Sequence, residues 1–132
     1  MSEYEKVEYY EGGNIDSDKI AYRNILLKDY QKYLEVINHY NIKTDIKEEN
    51  FNKYNYLVLI GENRYCNGSI KSLAGIKTEA GELYARFDID KTCDECAIEY
   101  FPYFVELDNN KYNEEKIVQY EYNPIKNIYC DS

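Results

Sequence analysis

The chain has 132 residues, 44% of them hydrophobic and 31% charged, which is one domain's worth of sequence, residues 1–132, and not a disordered composition. Its 25 acidic side chains against 16 basic ones leave a net charge of -9, so direct binding to a nucleic-acid backbone or an anionic membrane is opposed by long-range repulsion. No apolar run reaches the roughly 18 residues a membrane helix needs, so no membrane insertion is expected.

In chain order, Glu3 to Tyr10 alternates loosely and reads as a short strand or arm ending at Gly12-Gly13. Ile20 to Leu27 fits either a strand or a helix, with a strand the preferred reading. Tyr30, Tyr33, Leu34, Ile37 and Tyr40 fall at helical spacing, with Asp29 as N-cap and Asn41 at the far end, which predicts a helix over 29–40. Asn41 to Asn50 is a polar loop, and Glu48 to Tyr54 has room for a helical turn. Tyr56 to Ile60 is continuously apolar and short, the pattern of a central strand covered on both faces. Leu83, Ala85, Phe87 and Ile89 then alternate with Tyr84, Arg86 and Asp88, and Ala80-Gly81 is the best hairpin turn in the chain. A strand from Ala97 to Leu107 is interrupted at Phe101-Pro102, which implies an edge or a bulge. Asp108-Asn109-Asn110 is a second turn, and Ile117 to Tyr122 supplies a final strand. These elements predict an α+β fold: one main helix packed on a mostly antiparallel sheet of five or more strands. Leu34, Ile37, Leu57, Leu59, Phe87 and Val105 are its expected core.

The residues that carry chemistry are few. Cys66, Cys93, Cys96 and Cys130 include one CxxC pair and two singletons, which is short of a paired zinc pattern and leaves disulfides, zinc ligands and free thiols all open. The sequence after Cys96 is strand-like, and Asp94 and Glu95 would raise the thiol pKa, against redox catalysis. Asp88, Asp90, Thr92, Asp94 and Glu99 fall partly on a calcium-loop spacing, but Cys93 stands where that loop needs glycine, and a solvated acidic loop is the better reading. His39 is the chain's single histidine and has no placed nucleophile. Asn67-Gly68-Ser69 fits the glycosylation acceptor pattern and, more simply, a turn. The reading is therefore non-enzymatic, with no catalytic residue, no metal and no cofactor.

The aromatic set is 17 Tyr, 4 Phe and no Trp. AT-rich codon usage explains such an excess without function, yet tyrosine also suits half-buried sheet faces and protein-binding surfaces. The run Tyr100-Phe101-Pro102-Tyr103-Phe104 cannot point into one core, because successive strand residues face opposite ways. Some of Tyr100, Pro102 and Phe104, or else Phe101 and Tyr103, must then face outward or lie under another element. Tyr100, Phe101, Tyr103 and Phe104 are accordingly the candidate protein-facing residues. The alternative is that the helix over 29–40 covers one face and the N-terminal arm the other.

A helix with a Tyr-rich stripe (Asp29-Tyr30…Tyr33-Leu34) comes first, followed by Glu49-Asn50-Phe51, Tyr56 to Ile60, Asn67-Gly68-Ser69-Ile70, a hairpin, Thr92…Asp94…Ala97 and a strand ending Val105-Glu106-Leu107. Over residues 28–108 this order resembles small extracytoplasmic domains of Gram-positive bacteria whose sheet half is similar to the PrcB C-terminal domain type. The resemblance implies α+β architecture and a protein partner, as for an accessory protein that assists or inhibits a protease. The alternative is an acidic decoy, a nucleic-acid mimic that blocks a basic nucleic-acid-binding protein. The opening residues MSEYEKVEYYEGG lack the basic and apolar regions of a signal peptide. The expected location is cytoplasmic, or extracytoplasmic if an export segment has been removed.

Overall fold

The computed structural model describes residues 3–15, 20–64, 69–90 and 98–126, in an α+β arrangement with one α-helix, a short 3-10 helix and seven strands among them. The four cysteines, Asn67-Gly68 and the middle of the acidic calcium-like spacing lie outside the described residues. The chain forms two compact units: residues 7–60 with 101–115, and residues 1–6 with 61–100 and 116–132. Two sheets replace the single sheet expected: one of four strands in the order β1-β6-β3-β2, and one of three in the order β4-β5-β7.

The four-stranded sheet comprises β1 (Tyr9–Glu11), β2 (Leu26–Leu27), β3 (Tyr54–Arg64) and β6 (Ile98–Asp108). Tyr56 to Ile60 are all buried, as a continuous apolar run in a central strand requires. The expected strand over Ile20–Leu27 shrinks to Leu26–Leu27, because Tyr22 and Asn24 adopt φ of 62° and 66° and bend the chain into turns. The Asn24 amide then donates to the Val58 carbonyl (2.7 Å), and the Val58 amide to that of Ile25 (2.9 Å), which registers β2 on β3.

β6 runs unbroken between β1 and β3, so Pro102 sits in an interior strand and the expected edge position is corrected. The ladder explains why this is tolerated. Glu106 N–H donates to Glu8 O and Gly12 N–H to Pro102 O, both 2.9 Å, so even-numbered β6 residues turn their backbone groups toward β1. The donor that proline lacks would face Gly12, the first residue beyond the three-residue β1, and no bond to β3 is lost.

Helix α1 spans Tyr30–Tyr40. The Asp29 side chain caps it by accepting from the Lys32 amide at 2.8 Å, and Asn41 ends it in the left-handed region at φ 54°. Its inward ridge is Tyr33, Val36 and Tyr40, while Leu34 and Ile37, expected in the core, are only half-buried. Tyr33 sets that rotation. Its ring meets Phe104 edge-on at 5.7 Å and its hydroxyl bonds the Thr44 side chain. A 3-10 helix follows at Glu48–Asn52. Leu57, Leu59 and Val105 are buried as expected, each at 4% exposure or less.

In the other unit, β4 (Ser69–Glu79) and β5 (Glu82–Asp90) form an antiparallel hairpin, closed by Ala80-Gly81 at φ 53° and 80°. Two left-handed residues match the twist of a two-residue hairpin loop. Leu83, Ala85 and Phe87 are buried on one face, with the Phe87 ring stacked on Tyr120 and Tyr122 at 5.9 and 5.5 Å. β7 (Val118–Lys126) lies parallel to β5, so this sheet is mixed: the long chain between them allows the crossover that parallel pairing requires. Residues 4 and 5 run alongside β4 at Gly75, with Glu5 bridged antiparallel to Ile76. Glu5 and Ile76 exchange amide–carbonyl bonds of 2.7 and 3.0 Å, and a Cβ on Gly75 would stand 2.4 Å from the Glu5 oxygen.

Candidate protein-binding cleft

The aromatic run on β6 is placed differently from its expectation. Tyr103 is 2% exposed and Phe104 is 0%, whereas Tyr100 and Phe101 are half-buried. Tyr103 packs edge-on against Tyr9 at 5.7 Å and Phe104 against Tyr33, so these two are core residues and not a protein-facing surface. The interior position of β6 is the cause, since both of its faces receive side chains from neighbouring elements.

Among the described residues no group of three or more His, Cys, Asp or Glu side chains is arranged to hold a metal ion. Asp90 lies 3.7 Å from the Lys71 ammonium, and Asp88 accepts from Asn123 at 3.3 Å. His39 is exposed and meets the rings of Tyr22 and Tyr40 edge-on at 5.3 and 5.1 Å.

A different set of residues converges on the outer side of the four-stranded sheet. β1 is the edge strand, and the irregular segment 42–47 lies alongside it, held by the bonds from the Tyr33 hydroxyl to Thr44. Between them is a cleft of about 350 Å³ lined by Tyr9, Tyr10, Glu11, Lys43, Thr44 and Asp45. The alternation that turns Glu8 and Gly12 toward β6 turns the backbone groups of Tyr9 and Glu11 away from it. The cleft wall is thus the edge strand β1, whose Tyr9 and Tyr10 rings alternate between the two faces of the sheet. A hollow of about 550 Å³ at Lys47, Glu48, Glu49 and Asn52 is larger, but all four residues are exposed and none is aromatic.

Behind the cleft stands a polar network on sheet residues. The Tyr56 hydroxyl donates to Glu106 at 2.7 Å and accepts from Asn50 at 3.1 Å, while the Tyr10 ring meets that of Tyr56 at 6.1 Å and Tyr10 also bonds Glu106. Burial, reinforced by Glu106, pushes the Tyr56 phenol well above its ordinary range, so it remains a proton donor. Tyr10 is raised as well, first by burial and then by the charges of Glu106, Glu8 and Asp45. Glu11 keeps exposed surface, yet the protein around it withdraws enough water to raise its carboxyl. Both phenols, Tyr56 and Tyr10, therefore hold their protons.

Sequence reasoning placed Tyr9 and Tyr10 on an arm and Lys43 to Asp45 in a polar loop, and did not join them. The pairing of Gly12-Gly13 with a tyrosine pair was the one local signal, and it marks the end of β1 without naming its neighbour. Comparison with known proteins finds no family model, no curated protein and no solved structure that matches this chain.

Proposed function

We propose that this chain is a non-enzymatic protein-interaction or accessory module, assisting or inhibiting a protease or another bacterial protein, and that it holds its partner through the cleft at β1. The observation that carries the reading is the edge strand Tyr9–Glu11 walling a tyrosine-lined cleft. An extended segment adds to such an edge through main-chain bonds, and side-chain pockets beside it supply selectivity. Tyrosine rings suit the task because they offer contact area with little rotamer entropy to lose. The resemblance to PrcB-type domains belongs to the same reading and adds the protease as a partner class. Tyr100 and Phe101, half-buried on β6, belong to the proposed interface.

Selection of displayed random peptides on the immobilised protein tests this. Enriched peptides should be extended in pattern and lose at least about tenfold in affinity against Tyr10→Ser, the scale of one interface anchor residue. Peptides that bind Tyr10→Ser and the parent equally would sink the cleft as the binding site. The acidic-decoy reading is favoured by the charge of -9 and predicts binding to a basic protein that weakens steeply with salt, where an aromatic cleft loses little.

A further inference from the structure

We propose that the three-stranded sheet carries a recognition slot for a tyrosine on an extended segment. Residues 3–6 are its tethered occupant, and a partner segment of the same chemistry displaces them. This is a second surface, independent of the cleft at β1. Strand register builds the slot, on the face of the sheet opposite Phe87. Gly75 on β4, Arg86 on β5 and Glu121 on β7 are cross-strand neighbours and form one row, and Lys77, Tyr84 and Gln119 form the next row on the same face. The first row therefore has no side chain on β4, a guanidinium on β5 and a carboxylate on β7. Tyr4 lies in it. A Cβ on Gly75 would meet the Tyr4 Cβ at 3.3 Å, the Arg86 guanidinium and the Lys77 ammonium stand 5.6 and 4.9 Å from the centre of the Tyr4 ring, and its hydroxyl bonds Glu121. One side chain thus contacts residues of all three strands.

These contacts select a phenol. The two cations favour an aromatic face and repel a lysine or arginine in the same place, while the Glu121 carboxylate accepts a bond that phenylalanine cannot donate. The main chain beside the ring is held whatever its sequence. The backbone groups of Ile76 turn away from β5 and exchange bonds of 2.7 and 3.0 Å with Glu5, the contact by which an extended segment adds to a strand. Gly75 admits that segment, because a Cβ there would stand 2.4 Å from the Glu5 oxygen. The occupant itself is lightly held. Among the described residues it makes a single bridge with β4 and not a ladder, and Glu3, Glu5 and Lys6 are exposed. A partner segment offering the same tyrosine and the same two main-chain bonds competes for the slot.

The test uses the full chain and two capped peptides: Glu-Tyr-Glu-Lys-Val, which copies residues 3–7, and the same peptide with phenylalanine for tyrosine. A chain carrying Tyr4→Ser and Glu5→Pro lacks the ring and the amide donor of the occupant, so its slot is open. The tyrosine peptide should bind that chain at least tenfold more tightly than it binds the parent, with amide shifts centred on residues 75–77, 86 and 121. It should also bind about tenfold more tightly than the phenylalanine peptide. Adding Gly75→Val to the open chain should abolish binding without lowering the melting temperature. Equal affinity for parent and open chain, or shifts centred elsewhere, would overturn the slot, and equal binding of the two peptides would overturn its choice of tyrosine. If the open chain does not fold, the parent decides. Its own segment competes at an effective concentration on the order of millimolar, so peptide at about 10 mM should move the same amides together with that of Glu5, and no movement would overturn the proposal. A parent chain that becomes dimeric with those shifts as its own concentration rises would seat a second copy's segment in the slot and overturn the assignment to a separate partner.

Discussion

Gly75 shows how one residue decides a local structure. In a strand interior glycine costs backbone entropy and contributes no side chain, so it persists where another backbone must come close. Here the adjacent segment is Tyr4-Glu5, and any Cβ would strike the Glu5 carbonyl at 2.4 Å. Gly75→Ala should displace that segment and cost about 1–3 kcal/mol, the scale of losing the two Glu5–Ile76 bonds, read as a lowered urea midpoint with faster exchange of the Ile76 amide. An unchanged midpoint would mean the contact contributes nothing. Tyr4 in the same unit bonds Glu121 and lies beside Lys77 and Arg86. Burial first, then the Glu121 bond and charge, raise its phenol from 10.0 to about 12. A folded-state pKa above the unfolded one means stability fully present below pH 10 and lost as pH climbs through 12. Across that window the parent chain should lose more stability than Tyr4→Phe, and parallel losses would contradict the assignment.

Elements were legible wherever their signals were local. The Asp29 cap, the left-handed Asn41, the Ala80-Gly81 turn and the apolar β3 run each follow from a few neighbouring residues, and each stands where the sequence places it. Asp29→Ala should cost about 1 kcal/mol through loss of the bond to the Lys32 amide, seen in thermal or urea unfolding. Ala80, held at φ 53°, bears a Cβ penalty that asparagine bears less, so Ala80→Asn should raise stability by about 0.5–1 kcal/mol. A loss of stability at Ala80→Asn would mean the turn is not set by these angles. What failed did so for lack of a local signal. The inward ridge of α1 is chosen by Tyr33 meeting Phe104 and Thr44, and Leu34 and Ile37 have the same spacing as the residues that won. Pro102 suggested an edge because its missing donor is visible in sequence while the direction of that donor is not. The alternation of Tyr103 and Phe104 is legible, but that Tyr9 covers one face and Tyr33 the other is not.

At the scale of the molecule, the α+β class follows from one strong helical stripe among period-2 segments, but the division into two sheets does not. Which strands share a sheet, and that β7 runs parallel to β5, depend on pairings between residues far apart in sequence. The cleft is illegible for the same reason, because residues 9–11 and 43–45 are far apart in sequence and meet through tertiary packing, the bonds from Tyr33 of α1 to Thr44 among it. The proposed protein partner is motivated by composition, the charge of -9 and the tyrosine excess, and the cleft is where that proposal places it. The most direct measurement is amide hydrogen exchange of the full chain with and without a peptide selected on it. If the partner segment pairs with the edge of β1, exchange at Glu11 should slow at least tenfold on binding, while Tyr10, whose amide faces β6, changes little. Protection confined to another strand, or none at β1 with the peptide bound, would contradict the account.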